Sequence, residues 1–198
     1  MNPDLRNSET KVNLMRAFAG ESQARNRYTF AAEVAKKAGL HVIERVFLYT
    51  AGQEKEHAEI FFNHLKELDN ENILIDAAYP VEELKDPLKL LVNAHHNEYE
   101  EYESAYPSFA ETATKEGFHS IASSFKQIAE IEKHHGDRFK NFADAMRENR
   151  LFESNTEIEW ICLNCGHIYS GTKALEKCPV CSHEKGYFMK LEYSPYDK

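Results

Sequence analysis

Glycine and proline are scarce in this chain, 8 and 6 among 198 residues. So few turn-forming residues exclude a sandwich of short strands and favour long helices. Cysteine is absent from the first 161 residues, which excludes a disulfide framework spread through a small secreted domain. No apolar run approaches the roughly 18 residues that a membrane span requires. The opening stretch, MNPDLRNSETK, has no apolar segment between a basic start and a cleavage site, so no secretory signal is read and a cytoplasmic location is expected. Excess positive charge is missing too. A formal net charge of −9 suits neither a polyanionic backbone nor an anionic surface, so nucleic acid and membrane are not expected partners. What is present is 42% apolar residues, enough for a packed core, in a length that fits one sizeable domain plus a small module.

Helical periodicity runs from about Ser8 to Arg150, with Gly39 and Gly117 standing where helices could end. Residues 69–86 break the pattern and read as a long connection, closed by Asp86-Pro87 as an N-cap with proline in the first helical position. The pattern predicts four helices at roughly 8–38, 40–68, 87–116 and 118–149, then short β-like pieces, Ile158–Ile161 and Gly186–Leu191, around the cysteines. The expected division is a bundle over residues 1–153 and a small metal domain over 154–198.

The helical region repeats itself. Shifting the chain by 78 residues aligns Tyr28 with Tyr106, Gly39 with Gly117, Phe47 with Phe125, Glu54 with Glu132 and His57 with His135. Over positions 28–63, 15 of 36 residues are identical to their shifted counterparts. Two copies are too few for a solenoid; a duplicated helix pair folding into a four-helix bundle is the better reading.

Each predicted helix places carboxylates on its apolar stripe, because residues three, four or seven apart share a face. Glu54 lines up with Phe47, Ala51, His57 and Phe61, and Glu132 with Phe125, Ile128, His135 and Phe139. Glu21 sits with Leu14, Ala17, Phe18 and Tyr28, and Glu98 with Leu91, Ala94, Glu101 and Tyr102. An unpaired carboxylate in a core costs several kcal/mol, so such groups are paired or bind metal. Arg25 is the one cationic side chain that this reading puts on a stripe. Metal ions are the simpler answer. Two Glu-x-x-His pairs, Glu54/His57 and Glu132/His135, with Glu21 and Glu98/Glu101 from the other helices, make the ligand layout of di-iron and di-manganese carboxylate bundles, and hard oxygens with a few imidazoles suit iron or manganese. Tyr28 and Tyr106 read either as aromatic packing or as hydrogen-bond donors to a ligand. His64, His95, His96, His119 and His134 read as surface or rim residues.

Cys162-Leu-Asn-Cys165 and Cys178-Pro-Val-Cys181 form two knuckles separated by 12 residues. Four thiolates make a tetrahedral site that accepts zinc or iron on geometry alone. Zinc would make the module a structural staple or binding surface, and a single iron would make it an electron carrier.

These stretches together resemble rubrerythrin over nearly the whole chain. The resemblance is carried by Phe18-Ala-Gly-Glu21-Ser-Gln-Ala-Arg-Asn-Arg-Tyr28, Glu54-Lys-Glu-His57, Glu98-x-x-Glu101 followed by Tyr106-Pro107, Glu132-Lys-His-His135, and a rubredoxin-type Trp160-Ile-Cys162-x-x-Cys165-Gly with Cys178-Pro-x-Cys181. It implies a mainly α fold, a ferritin-like four-helix bundle followed by a small rubredoxin-like β/loop metal domain. It implies a peroxidase that reduces hydrogen peroxide to water at a non-haem di-iron centre. By match of motif, Glu21, Glu54, Glu98, Glu101, Glu132 and His135 would be ligands of the oxidised site, with His57 joining on reduction in competition with Glu101. One mononuclear iron at Cys162, Cys165, Cys178 and Cys181 would return the electrons. The resemblance implies that these come from a reduced pyridine nucleotide through a separate reductase or rubredoxin; the chain has no Gly-x-Gly-x-x-Gly loop, so it is not expected to bind the nucleotide itself. A homodimer is also implied. The competing readings are a ferroxidase for iron storage or detoxification, and a bundle with a structural zinc ribbon.

Overall fold

The computed structural model describes residues 3–195; residues 1–2 and 196–198, the outer ends of the two expected domains, lie outside the described residues. Helix α1 (Glu9–Lys37) starts where Ser8 Oγ accepts the Lys11 N–H, and α2 (His41–His64) follows a tight reversal. After an irregular connection, Asp86 caps α3 (Pro87–Glu100) by accepting the Leu88 N–H at 2.9 Å, with proline at the first helical position. Helices α4 (Tyr106–Lys115) and α5 (His119–Arg147) complete the bundle. Helices α1 and α4 end in the same way. A glycine at positive φ (Gly39, 71°; Gly117, 87°) is followed by a residue whose N–H reaches back five positions, Leu40 to Ala35 and Phe118 to Ala113.

The sequence predicts one unbroken helix over 87–116, and here the structure differs. Between α3 and α4 the chain makes a π-helical segment, Glu101–Ala105. The repeat supplies the reason: Glu21 and Tyr28 are seven residues apart, whereas Glu98 and Tyr106 are eight apart. A π-turn absorbs one extra residue without breaking the helix, so both pairs keep their places on the core face.

Two apolar clusters fill the bundle, one on either side of a polar middle. Each holds an aromatic triad related to the other by the repeat. Tyr28, Phe47 and Phe139 pack with ring centroids 5.0–6.0 Å apart, and Tyr106, Phe125 and Phe61 pack at 5.0–5.9 Å. Among the described residues no helix is long and apolar enough to cross a membrane.

The C-terminal region is a three-stranded antiparallel sheet in the order β2-β1-β3, from β1 (Glu153–Cys162), β2 (Ile168–Lys173) and β3 (Phe188–Lys190). Strand β2 was not foreseen, because it is a mostly exposed edge strand without an apolar alternation to reveal it. Trp160 is buried beneath the sheet and donates its indole N–H to the Gly171 carbonyl at 2.9 Å. The sheet docks on the bundle end formed by the α1–α2 turn. Ile161 and Met189 join the cluster of Phe47 and Phe139, and the Tyr187 ring stacks on His41 with centroids 3.9 Å apart. Gly186 lies so close to this turn that a Cβ there would stand 1.8 Å from the Gly39 carbonyl oxygen.

Candidate metal centres

The polar middle of the bundle contains the predicted carboxylates and imidazoles. Glu21, Glu54, Glu98, Glu132 and His135 are no more than 1% exposed, and His57 is 5% exposed. Their donor atoms fall into two groups. Glu21, Glu54, His57 and Glu132 form one, Glu54, Glu98, Glu132 and His135 the other, and within each the donors lie within 4.8 Å of one another. Glu54 and Glu132 belong to both, as two bridging carboxylates would. His57 Nδ1 lies 2.9 Å from Glu132 and 3.2 Å from Glu54; His135 Nδ1 lies 2.8 Å from Glu132 and 3.0 Å from Glu54.

These contacts are short, but their geometry is not that of hydrogen bonds. Nine buried atoms here have no hydrogen-bond partner: Glu21 Oε2, both oxygens of Glu54 and of Glu132, Glu98 Oε2, His57 Nδ1 and both ring nitrogens of His135. Orphaned buried polar atoms are costly. Lone pairs converging on shared points, rather than pairing with donors, are the arrangement that a metal ion satisfies. The donor set, carboxylate oxygen with imidazole, fits iron or manganese.

Titration behaviour reports the same crowding. Burial and neighbouring carboxylates press Glu21 and Glu101 well above the carboxylate range. Burial and Glu54 push Glu98 up to about 8. For Glu54, burial acts upward, but His135 and His57 outweigh it and hold the group at about 2. For His57, burial acts downward, but Glu132 and Glu54 raise it to about 9. In such a cluster protons or metal cations must balance the carboxylates.

Both tyrosines left open by the sequence make hydrogen bonds across the repeat. Tyr28 Oη donates to Glu98 Oε1, and Tyr106 Oη donates to Glu21 Oε1. Burial, with the adjacent carboxylates, raises both phenols well above their ordinary value, so they stay protonated donors. Glu101 stands beside the two groups rather than within them. It opens the π-helical segment and lines a cavity of about 240 Å³ with Gly20, Gln23, Tyr79 and Tyr106. Its Oε1 lies 3.8 Å from where a Cβ on Gly20 would be, an ordinary contact distance, which places it against α1 next to Glu21. The α2–α3 connection crosses this cavity, pinned by the Arg16–Asp76 ion pair and by Tyr79 Oη donating to the Arg16 carbonyl.

Two residues near the site were not singled out by the sequence. Gly136 lets α3 approach α5, since a Cβ there would meet the Tyr99 ring at 2.6 Å and Glu98 Cβ at 3.3 Å. Arg138 is a half-buried cation near the cluster, as is Arg27, which pairs with Glu82 at 3.2 Å, whereas Arg25, expected on the stripe, is exposed. The available signal was departure from the repeat, in which Gly136 and Arg138 correspond to Ala58 and Ile60.

In the sheet domain, Cys162, Cys165, Cys178 and Cys181 form a third group of possible ligands. The Cys162–Cys181 and Cys165–Cys178 sulfurs are each 3.7 Å apart. A tetrahedron with metal–sulfur bonds of ~2.3 Å has edges of about 3.8 Å, whereas a disulfide would need ~2.05 Å. Each knuckle closes through a residue at positive φ after its second cysteine, Gly166 at 77° and Ser182 at 63°. A hydrogen bond from the His183 N–H lowers the Cys181 thiol to about 6, while burial pushes Cys162 up to about 12.

The rubrerythrin family model matches residues 12–143, and the model for the rubredoxin-like domain of rubrerythrin matches residues 160–189. Rubrerythrin-1 of Clostridium acetobutylicum is 46% identical over 186 residues, covering 93% of this chain and 95% of that protein. Rubrerythrin of Porphyromonas gingivalis is 44% identical over 195 residues, covering 98% and 96%. Among solved structures, nigerythrin in a mixed-valence state superposes with a TM-score of 0.63 at 26% identity, covering 92% of this chain and 86% of that one. A ferritin-like bundle whose carboxylates and histidines can take two irons, joined to a rubredoxin-like four-cysteine domain, places this chain in the rubrerythrin family.

Proposed function

We propose that this chain is a cytoplasmic peroxidase of oxidative-stress defence, reducing hydrogen peroxide to water. The observation that carries the reading is the pair of buried four-residue groups sharing Glu54 and Glu132, with the extra carboxylate of Glu101 alongside. Glu21 and His57 would hold one ion and Glu98 and His135 the other, with Glu54 and Glu132 touching both. When bound, two Fe(II) ions would supply one electron each to peroxide, whose O–O cleavage takes up two protons. The chain's own part is positioning and proton supply. Tyr28 and Tyr106 keep a proton at Oη against Glu98 and Glu21, which orients those carboxylates and stores protons one hydrogen bond from the cluster.

Glu101 separates this reading from a ferroxidase. Glu21, Glu54, Glu98, Glu101 and Glu132 carry a formal charge of −5, against +4 for two Fe(II) and +6 for two Fe(III). The oxidised pair has more use for the fifth carboxylate, and the reduced pair is served by the neutral ring of His57. The four cysteines would hold the iron that returns electrons, drawn from a reductase linked to reduced pyridine nucleotide or from rubredoxin. In a homodimer the cysteine domain of one chain would serve the bundle of its partner.

Anaerobic stopped-flow spectroscopy tests the reading. The fully reduced protein should be oxidised at both metal centres faster by peroxide than by oxygen. Glu101→Gln should leave Fe(II) binding intact and slow the peroxide reaction about ten- to hundredfold. Faster reaction with oxygen and accumulation of ferric mineral, indifferent to Glu101, would instead establish an iron store.

A further inference from the structure

The repeat makes the two metal positions near-images of each other, and one group breaks the likeness. Helices α2 and α5 run antiparallel through the site, because His57 meets Glu132 while Glu54 meets His135. One turn beyond the Glu54–His135 level, Arg138 Nη1 donates to Thr50 Oγ1 at 2.9 Å and Gln53 Oε1 at 3.1 Å. Its guanidinium also lies over the Tyr49 ring, 5.0 Å from the centroid. The hydrogen-bond partners are neutral, and among the described residues no ion pair holds Arg138, so the carboxylates its charge acts on are those of the cluster, Glu54, Glu98 and Glu132. At the repeat-related end, one turn beyond His57 and Glu132, the same three places are taken by Ile60, Ile128 and Ile131. One end of the site therefore carries a fixed cation and the other hydrocarbon.

We propose that Arg138 makes the two metal positions unequal, weakening divalent-cation binding at the Glu98–His135 position relative to the Glu21–His57 position. The inference rests on the di-metal reading of the cluster. Arg138 is three residues, one turn, from His135, and Thr50 is one turn from Glu54, so the charge lies nearer the second position. A guanidinium does not deprotonate in a protein, and so cannot escape the repulsion. At an effective dielectric of ~20, a unit charge a few ångströms nearer one divalent ion than the other is worth on the order of tenfold in relative affinity. Arg138 is thus a positioning residue in the electrostatic sense: it sets the order in which the pair fills and the relative ease of reducing each ion.

The test uses the full chain with one equivalent of zinc(II), which the thiolates take, followed by one equivalent of manganese(II). Anomalous diffraction at the manganese edge then gives the occupancy ratio of the two positions. The wild-type protein should favour the Glu21–His57 position. Arg138→Met, similar in length but neutral, should narrow the ratio about tenfold, or about 1.4 kcal/mol, and Arg138→Lys should restore most of the bias. Ile60→Arg, at a site already 40% exposed, should shift the ratio the opposite way and needs no loss of the Thr50–Gln53 tie. A ratio unmoved by both Arg138→Met and Ile60→Arg, or a lysine variant indistinguishable from methionine, overturns the proposal. Manganese at neither position in the wild-type protein defeats the di-metal reading itself, a separate and visible outcome.

Discussion

At neutral pH, His57, held up at about 9, and Glu98, pushed up to about 8, each keep a proton. Both must lose it to become ligands, so metal competes with protons for the same atoms. Loading the bundle with Fe(II) or Mn(II) at pH 7 should release more than one proton per metal pair. Affinity should weaken as pH falls below about 9, and more steeply below about 8, by up to tenfold per pH unit for each proton displaced. Calorimetry in two buffers of different ionisation enthalpy measures this directly, and a proton count of zero would sink the assignment of these two side chains. The cluster itself was legible because Glu54 with His57, and Glu132 with His135, are fixed by helical spacing alone. Tyr28 and Tyr106 were half legible. Their burial followed from periodicity, but their partners lie across the repeat, on helices whose contacts no spacing predicts. Arg25 and Arg138 show the limit from the other side: a stripe drawn on a helical wheel misplaces a residue by one position, and one position turns a side chain by about 100°.

At the scale of elements, the four helices were legible from period and caps, while the π-helical segment was written only as the unequal Glu–Tyr spacing. The segment keeps Tyr106 on the core face and puts Glu101 at its opening turn. The approach of α3 to α5 depends in turn on Gly136. Gly136→Ala would drive a methyl into the Tyr99 ring and against Glu98 Cβ, so the Tyr99 ring must move and α3 is expected to shift with it. A destabilisation of about 1–3 kcal/mol is expected, as for other overpacked interiors. Because Glu98 moves with the helix, metal affinity at its position should fall as well. Thermal unfolding with and without manganese(II) separates the effects: the variant should gain less from the metal than the wild-type protein does. An equal gain would mean that α3 adapts without moving Glu98.

At the scale of the molecule, the cysteine domain sits at one end of the bundle, whereas its electrons would be needed in the middle. It packs on the α1–α2 turn, and from His41 to Glu54 helix α2 rises about 20 Å. A second chain, placing its cysteine domain alongside the cluster, would shorten that path. Peroxidase activity per chain should therefore fall on dilution well below micromolar, with the mass of the particle falling in parallel; constant activity from a monomer would refute the shared arrangement. Rigid docking matters to such a partnership, and besides Ile161, Met189 and the Tyr187–His41 stack it uses one close backbone approach. Gly186 admits the Gly39 carbonyl where any side chain would collide, and neither glycine announced that contact in the sequence, since 147 residues separate them.

The shared carboxylates also bear on how the protein is put together. The first helix pair brings Glu21, Glu54 and His57 to one position and lends Glu54 to the other; the second half brings Glu98, Glu132 and His135 and lends Glu132 back. Neither half can complete a coordination shell alone. Each can begin one, and both are finished by the same act of docking. Bound ions would therefore serve as a latch on assembly, closing only when two hairpins of low contact order have found each other in register. The stretch that joins the halves is relieved of holding them together. It is free to take an irregular course, which it does, across the cavity beside Glu101.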